Sequence, residues 1–343
     1  AGYDPAGDTA KILAGEGNPS VLRVNNGNYS PAGTRGISAW MFRAAQEMAL
    51  ETNNADVFLA ETDTCPQLRY STGAMSLHSH FTATILEGVN GAKHWITRLG
   101  NYEPETGAAY RKVLGDNAGF YNYLASIVPT IKWRGARIPL SRNIDYDFAN
   151  FAWGSSFNGW LNCVLERLGL PMYYSTEGKT AFIDYEANFA DDSMNLTDEE
   201  VTEMLKGWTF MSSGVAERLN KRGFGEYIGV KVEEYDGPHL SGEHMFADNR
   251  NIPVQCKTKK ITPINESVEA LSEVYHLERG TNKVSMFPGV TKYKNSLGGT
   301  SVVFCGTPTA AFQYTEAFSY LCVSRKLQLI NLLKEAGELP VYY

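Results

Sequence analysis

Three short apolar runs in the first third of the chain each end in a cluster of polar, charged and aromatic residues. The first, Val21-Leu22-Arg23-Val24, offers Arg23, Asn25, Asn26 and Tyr29. The second, residues 56–61, offers Glu61, Asp63, Arg69 and Tyr70. The third, residues 92–97, offers Trp95, Thr97 and Arg98, with Tyr102 and Glu103 beyond. Carboxylates, amides and guanidinium groups are what sugar hydroxyls need as partners, and aromatic rings are what the apolar faces of a sugar need as walls. Glu61 stands out within this set. A carboxylate held at the end of a buried strand can attack an anomeric carbon, or act as acid or base. The plainer alternative is that Glu61 or Asp63 caps the helix that follows.

Other chemistries are weaker. His78 and His80, two apart on a helix, point roughly 160° from each other and cannot share one metal there. Each reads as a structural histidine, as does His94 within its strand, so no metal and no cofactor are expected. Gly223-Phe224-Gly225-Glu226-Tyr227-Ile228-Gly229 imitates a dinucleotide fingerprint, but the glycines are one residue too far apart and follow helical sequence. Five cysteines, an odd number without a Cys-x-x-Cys pair, suit reduced thiols in a cytoplasmic protein. Cys163 sits mid-helix and Cys305 lacks the flanking pattern of an amidotransferase nucleophile. No Gly-x-Ser-x-Gly elbow points to an esterase.

The elements that must position these groups alternate strand and helix. Trp40, Met41, Ala44, Ala45, Met48 and Ala49 mark one face of a helix from about residue 38. Helices are also expected over 74–87 and over 108–128, and the near-continuous apolarity of 56–61 is that of a parallel strand buried on both faces. The segment 133–140 reads as a connector into a second α/β region. There, 180–185 is a strand, and Thr197 with Glu200 forms a capping box while Leu196 and Val201 staple it. Residues 230–285 are expected to form antiparallel strands inserted between α/β elements, and 300–305 another buried strand. Ser324 is expected to cap a last helix with Leu327, Ile330 and Leu333 as its apolar stripe and Gly337 as its stop. The 343 residues, 43% hydrophobic and 20% charged, suffice for about two domains. The excess of 38 acidic over 31 basic residues argues against a nucleic-acid partner. No apolar run approaches the roughly 20 residues of a membrane helix, so no membrane partner is expected.

Phe58-Leu59-Ala60-Glu61-Thr62-Asp63-Thr64 resembles the seventh-strand signature of retaining (β/α)8 glycoside hydrolases, whose nucleophile is the Glu at that strand's end. Gly91-Ala92-Lys93-His94-Trp95-Ile96-Thr97-Arg98 resembles the eighth strand. Residues 19–140 together are similar to the last three βα units of such barrels. The rest, through Leu196-Thr197-Asp198-Glu199-Glu200, Gly214-Val215-Ala216-Glu217-Arg218-Leu219 and Arg222-Gly223-Phe224, resembles the Rossmann-like trimerisation domain of family 42 β-galactosidases, which is related to amidotransferases. The resemblance implies an α/β chain in two parts: 1–140 as the C-terminal portion of a catalytic barrel and 141–343 as the trimerisation-type domain. It implies a homo-oligomer, a trimer, acting on β-linked oligosaccharides by double displacement, with Glu61 as nucleophile.

Two departures from the family pattern bear on this. The general acid/base of the family comes from the fourth strand, whereas this chain starts at what would be the sixth, so the sequence is expected to be a segment of a longer chain, inactive alone. Thr97 stands roughly where the family places a Trp, with Trp95 two residues earlier. In the expected site Arg23, Asn25, Tyr70 and Arg98 orient hydroxyls and hold Glu61 ionised. A non-catalytic carbohydrate-binding or oligomerisation scaffold is the rival expectation.

Overall fold

The structure is a computed structural model that describes residues 5–24, 45, 55–63, 73–96, 104–140, 164–183, 196–254, 256–308 and 320–339. The chain divides into two compact units, 1–132 with 140–142, and 133–139 with 143–343. Among the described residues no helix is long and apolar enough to cross a membrane.

The first unit is built on three parallel strands, β1 (Val21–Val24), β2 (Val57–Asp63) and β3 (Gly91–Trp95), in that order across the sheet. Helix α1 (Pro5–Ala14) precedes β1, α2 (Ala74–Leu86) joins β2 to β3, and α3 (Ala108–Asp116) and α4 (Ala118–Ile127) follow. The single helix expected over 108–128 is therefore two, broken at Asn117, which ends one and begins the next. Of the helix expected from about residue 38, only Ala45 lies among the described residues.

Strand alternation divides the sheet into two faces. Phe58 and Ala60 of β2 pack with Leu22, Ala92 and Val89. Ala92 also meets Phe81 and Ile85 of α2 and Tyr121 and Leu124 of α4. This is the helix-covered face. Arg23, Leu59, Glu61 and Lys93, one residue out of phase, belong to the other. The amino edge is closed by side-chain clips. Ser20 donates to Asp56 Oδ2 through both its backbone N–H and its hydroxyl, each at 2.8 Å. Asn90 Oδ1 accepts from the Phe58 N–H at 3.0 Å.

The second unit carries a nine-stranded mixed sheet. Its parallel half contains β4 (Ala136–Pro139), β5 (Met172–Ser175), β6 (Thr180–Ile183), β7 (Trp208–Ser212) and β15 (Thr300–Phe304). These run β5-β4-β6-β7-β15 across the sheet, an order met in doubly wound α/β sheets. The expected connector 133–140 thus contains a strand. Its four residues carry Arg137, and a charged residue inside so short a run hides the strand from a hydrophobicity pattern. Arg137 is 2% exposed and donates from Nη1 to the Ser175 carbonyl. Phe182 and Phe210 stack at 4.1 Å between centroids in the middle of this half.

The antiparallel half adds β9 (Gly242–Met245), β10 (Arg250–Ile252), β13 (Glu269–Glu278) and β14 (Asn282–Lys294), the last pairing with β15. Smaller pairs join β8 (Val230–Glu233) to β12 (Lys260–Pro263) and β11 (Lys257–Thr258) to β16 (Gly306–Thr307). The antiparallel insertion expected over 230–285 is present, and it reaches on through β14.

The unit also contains helices α5 (Asp198–Leu205), α6 (Ser213–Lys221), α7 (Gly225–Ile228) and α8 (Val323–Glu335), besides a single helical turn at Glu166–Leu168. The capping box at α5 is fully formed: Glu200 N–H donates to Thr197 Oγ1 at 3.2 Å, and Thr197 N–H donates to Glu200 Oε2 at 2.8 Å. Glycines 223 and 229 flank α7 and do not form a phosphate loop. At α8 the expectation is corrected. The N-cap is Cys322, and Ser324 lies inside the helix and is buried. The buried face is Ser324, Arg325, Gln328, Leu329, Leu332 and Leu333, whereas Leu327 is 45% exposed. Arg325 and Gln328 face inward because Glu243 is buried opposite them, ion-paired to the Arg325 guanidinium. Polar residues on the inner stripe shift the apparent apolar period.

Thr197→Ala removes one half of the capping box and should lower unfolding free energy by about 1 kcal/mol, read from a urea denaturation midpoint at unchanged slope.

Candidate functional site

The parallel ladder of the first unit brings together part of the expected sugar site. Arg23 lies opposite Leu59 in register, and Glu61 lies opposite Lys93. Register partners on neighbouring parallel strands share a face, so a cation from each flanking strand stands on the face of Glu61. Arg23 Nη1 donates to Glu61 Oε1 across β1 and β2. The pair is unequal in solvent: the Glu61 side chain is 6% exposed and that of Arg23 42%. Burial of a carboxylate demands a compensating donor, and Arg23 supplies it.

Behind Glu61, on the helix-covered face, Thr62 is fully buried and its Oγ1 hydrogen-bonds His94 Nδ1 from the register-paired position of β3. The His94 ring meets Phe81 edge-on at 4.8 Å, Phe81 lies 4.7 Å from Tyr121, and Tyr121 Oη is 2.8 Å from His78 Nδ1. His78 and His94 are thus each engaged by neighbouring side chains, and His80 is buried in α2. Burial holds the His94 imidazole below its ordinary range, so it is neutral at pH 7. Among the described residues no group of three or more His, Cys, Asp or Glu is arranged to hold a metal ion.

The remaining expected residues are not brought into view. Asn25, Asn26, Tyr29, Arg69, Tyr70, Thr97 and Arg98 lie outside the described residues. Asp63 and Trp95 are register partners at the ends of β2 and β3, and their side chains lie outside the described set. Cys163 also lies outside it. Cys305 is buried in the hydrophobic core of the second unit, where burial pushes its thiol well above the usual range, the opposite of what a nucleophile needs.

Sequence reasoning missed two neighbours of Glu61. Neither residue type marks them: a lysine inside a strand and a threonine at a strand end carry no site signal in sequence. Strand alternation could have grouped Thr62 with Phe58 and Ala60, but only the inter-strand register identifies Lys93 and His94 as the partners. The sequence matches no protein-family model, and no curated protein matches it at a significant level.

Two measurements follow from these environments. Arg23→Met takes the guanidinium from a buried carboxylate and should cost about 1–2 kcal/mol, reduced from a fully buried pair by the exposure of Arg23, whereas Arg23→Lys should retain part of it. At the end of α2, burial pushes the Glu87 carboxyl up to about 8. Part of the residue's surface reaches solvent, which tempers the size of the effect and leaves its direction. Between pH 4.5 and 8 the folded state therefore binds this proton more tightly than the unfolded state, and stability falls as pH rises. Glu87→Gln should raise the melting temperature more near pH 8 than near pH 4.5.

Proposed function

We propose that the first unit carries the nucleophile side of a retaining glycoside hydrolase site, with Glu61 as the nucleophile acting on β-linked oligosaccharides. The observation that carries this reading is the placement of Glu61 on the face of a parallel sheet opposite the helices, toward the carboxyl end of the middle strand and gripped at one oxygen by Arg23. Carboxyl ends of parallel strands are where α/β folds assemble reacting groups. Arg23 engages one carboxylate oxygen, Oε1, and restrains the Glu61 side chain on that face. Attack at the anomeric carbon forms a glycosyl ester as the glycosidic bond breaks, and the leaving oxygen takes a proton from an acid. Water then cleaves the ester.

In this reading the three parallel strands are a portion of a (β/α)8 barrel. The second unit, with its parallel half in doubly wound order, is a Rossmann-like domain that serves homo-oligomerisation. Arg23 and Lys93 orient substrate hydroxyls from either side of Glu61, joined by Asn25, Asn26, Tyr29, Asp63, Arg69, Tyr70, Trp95, Thr97 and Arg98.

The low exposure of Glu61 favours a second reading, in which Arg23–Glu61 ties β1 to β2 within a non-catalytic carbohydrate-binding or oligomerisation scaffold. A panel of 2-deoxy-2-fluoro-β-glycosyl fluorides, applied to the full-length protein with the rest of the barrel present, separates the two. Fluoride departs without a general acid, so the labelling step tests the nucleophile alone. The glycosidase reading expects one glycosyl mass on the peptide that contains Glu61, absent in Glu61→Gln. A full panel without label supports the scaffold.

A further inference from the structure

We infer that His94 is a positioning residue for Glu61, acting through the Thr62 hydroxyl on the reverse side of the same strand. The inference rests on the glycosidase reading and goes beyond it by naming what aims the carboxylate. Glu61 and Thr62 are consecutive in β2, so their side chains leave opposite faces of the sheet. The ladders to β1 and β3 set the strand's facing, and a side-chain pin at residue 62 adds to them against small rotations that would swing residue 61.

The pin is well anchored. Thr62 has no exposed surface, and its Oγ1 is bonded to His94 Nδ1 from the register-paired position of β3. His94 is held in turn by the edge-on contact with Phe81 of α2 at 4.8 Å. Phe81 packs at 4.7 Å on Tyr121 of α4, whose hydroxyl is tied back to His78 of α2 at 2.8 Å. The chain Thr62–His94–Phe81–Tyr121–His78 thus links both strands to both helices behind the proposed nucleophile. On the front face Arg23 grips Oε1. Glu61 is fixed from the front by an ion pair and from behind by a hydrogen bond that does not touch it. Near-attack geometry is sensitive to shifts of the order of 1 Å, so loosening this brace slows attack without weakening substrate binding. Because burial keeps His94 neutral at pH 7, one ring nitrogen accepts while the other carries the proton, which suits a hydroxyl partner.

The test measures labelling kinetics of the complete protein, with the whole barrel that this reading requires, using the fluoroglycosyl fluoride that labels the wild type best, for wild type, Thr62→Val, Thr62→Ser, His94→Phe and the double variant Thr62→Val/His94→Phe. Folded fraction is measured by circular dichroism and used to normalise each rate. The expected result is a saturating labelling rate lowered about ten-fold or more in Thr62→Val, with the half-saturating concentration unchanged. Thr62→Ser, which keeps the hydroxyl, should restore the rate. The double variant should lose no more than either single variant, since both break one interaction. A Thr62→Val rate equal to wild type overturns the inference and leaves the glycosidase reading standing. So does a loss that Thr62→Ser fails to restore. A wild type that takes no label from any reagent removes the glycosidase reading and this inference with it.

Discussion

A carboxyl group removed from water has to be met by a donor, and the first unit meets Glu61 with Arg23 from the adjacent strand. The two are not register partners. Arg23 lies opposite Leu59, so its guanidinium reaches along the sheet by one two-residue step, roughly 7 Å, to arrive at Glu61. The reach works only because both side chains occupy one face. A slip of a single residue between β1 and β2 would carry Arg23 to the helix-covered face, where Leu22 now packs with Phe58 and Ala60. Apolar packing on one side and the ion pair on the other therefore specify the same register, and that register brings the candidate nucleophile to its cations. The ladder from β2 to β3 repeats the arrangement, with Glu61 opposite Lys93 in front and Thr62 opposite His94 behind.

The two edges of this sheet do different work. At the amino edge, Ser20 with Asp56 and Asn90 with Phe58 satisfy backbone and side-chain groups locally. The Ser20 hydrogen bonds hold the Asp56 carboxyl below the usual range. Toward the carboxyl edge stand Arg23, Glu61 and Lys93, groups able to meet a ligand. The second unit divides its labour across a sheet instead. Its parallel half buries the stacked Phe182 and Phe210 together with single polar residues such as Arg137, Thr209 and Ser301. Its antiparallel half buries a polar layer in which Glu243 accepts from both Ser272 and Arg325, and Arg325 Nη1 donates to Gln328 at 2.6 Å. Gly289 makes room for that layer, since a Cβ there would come within 2.6 Å of Glu243 Oε1.

Legibility followed the range of the interaction concerned. The capping box at Thr197 and Glu200 uses residues three apart, and it appears as the pattern requires. The strand through Glu61, the helix 74–87 and the strand 300–305 were readable for the same reason, because each is a continuous apolar or periodic run. The α8 stripe differs from its sequence pattern because Arg325 and Gln328 are buried by a partner, Glu243, that lies 82 residues away from Arg325 in sequence. Strand β4 reads as a connector in sequence because Ala136–Pro139 is too short, and too interrupted by Arg137, to show a period. At the candidate site Glu61 and Arg23 were both singled out from residue type, but the bond between them was only a possibility until the strands were paired.

The sequence by itself determined the local elements, the α/β alternation and the position of an acidic group at the end of a buried strand. These depend on φ/ψ preference, periodicity and capping, all written within a few residues. Tertiary structure decided which strands are neighbours and in what register, and hence that Arg23 holds Glu61, that Lys93 faces it, and that His94 braces the strand from behind. The physical reason is that side-chain direction alternates every residue along a strand, whereas the choice of neighbour is made across the sheet by packing of distant segments.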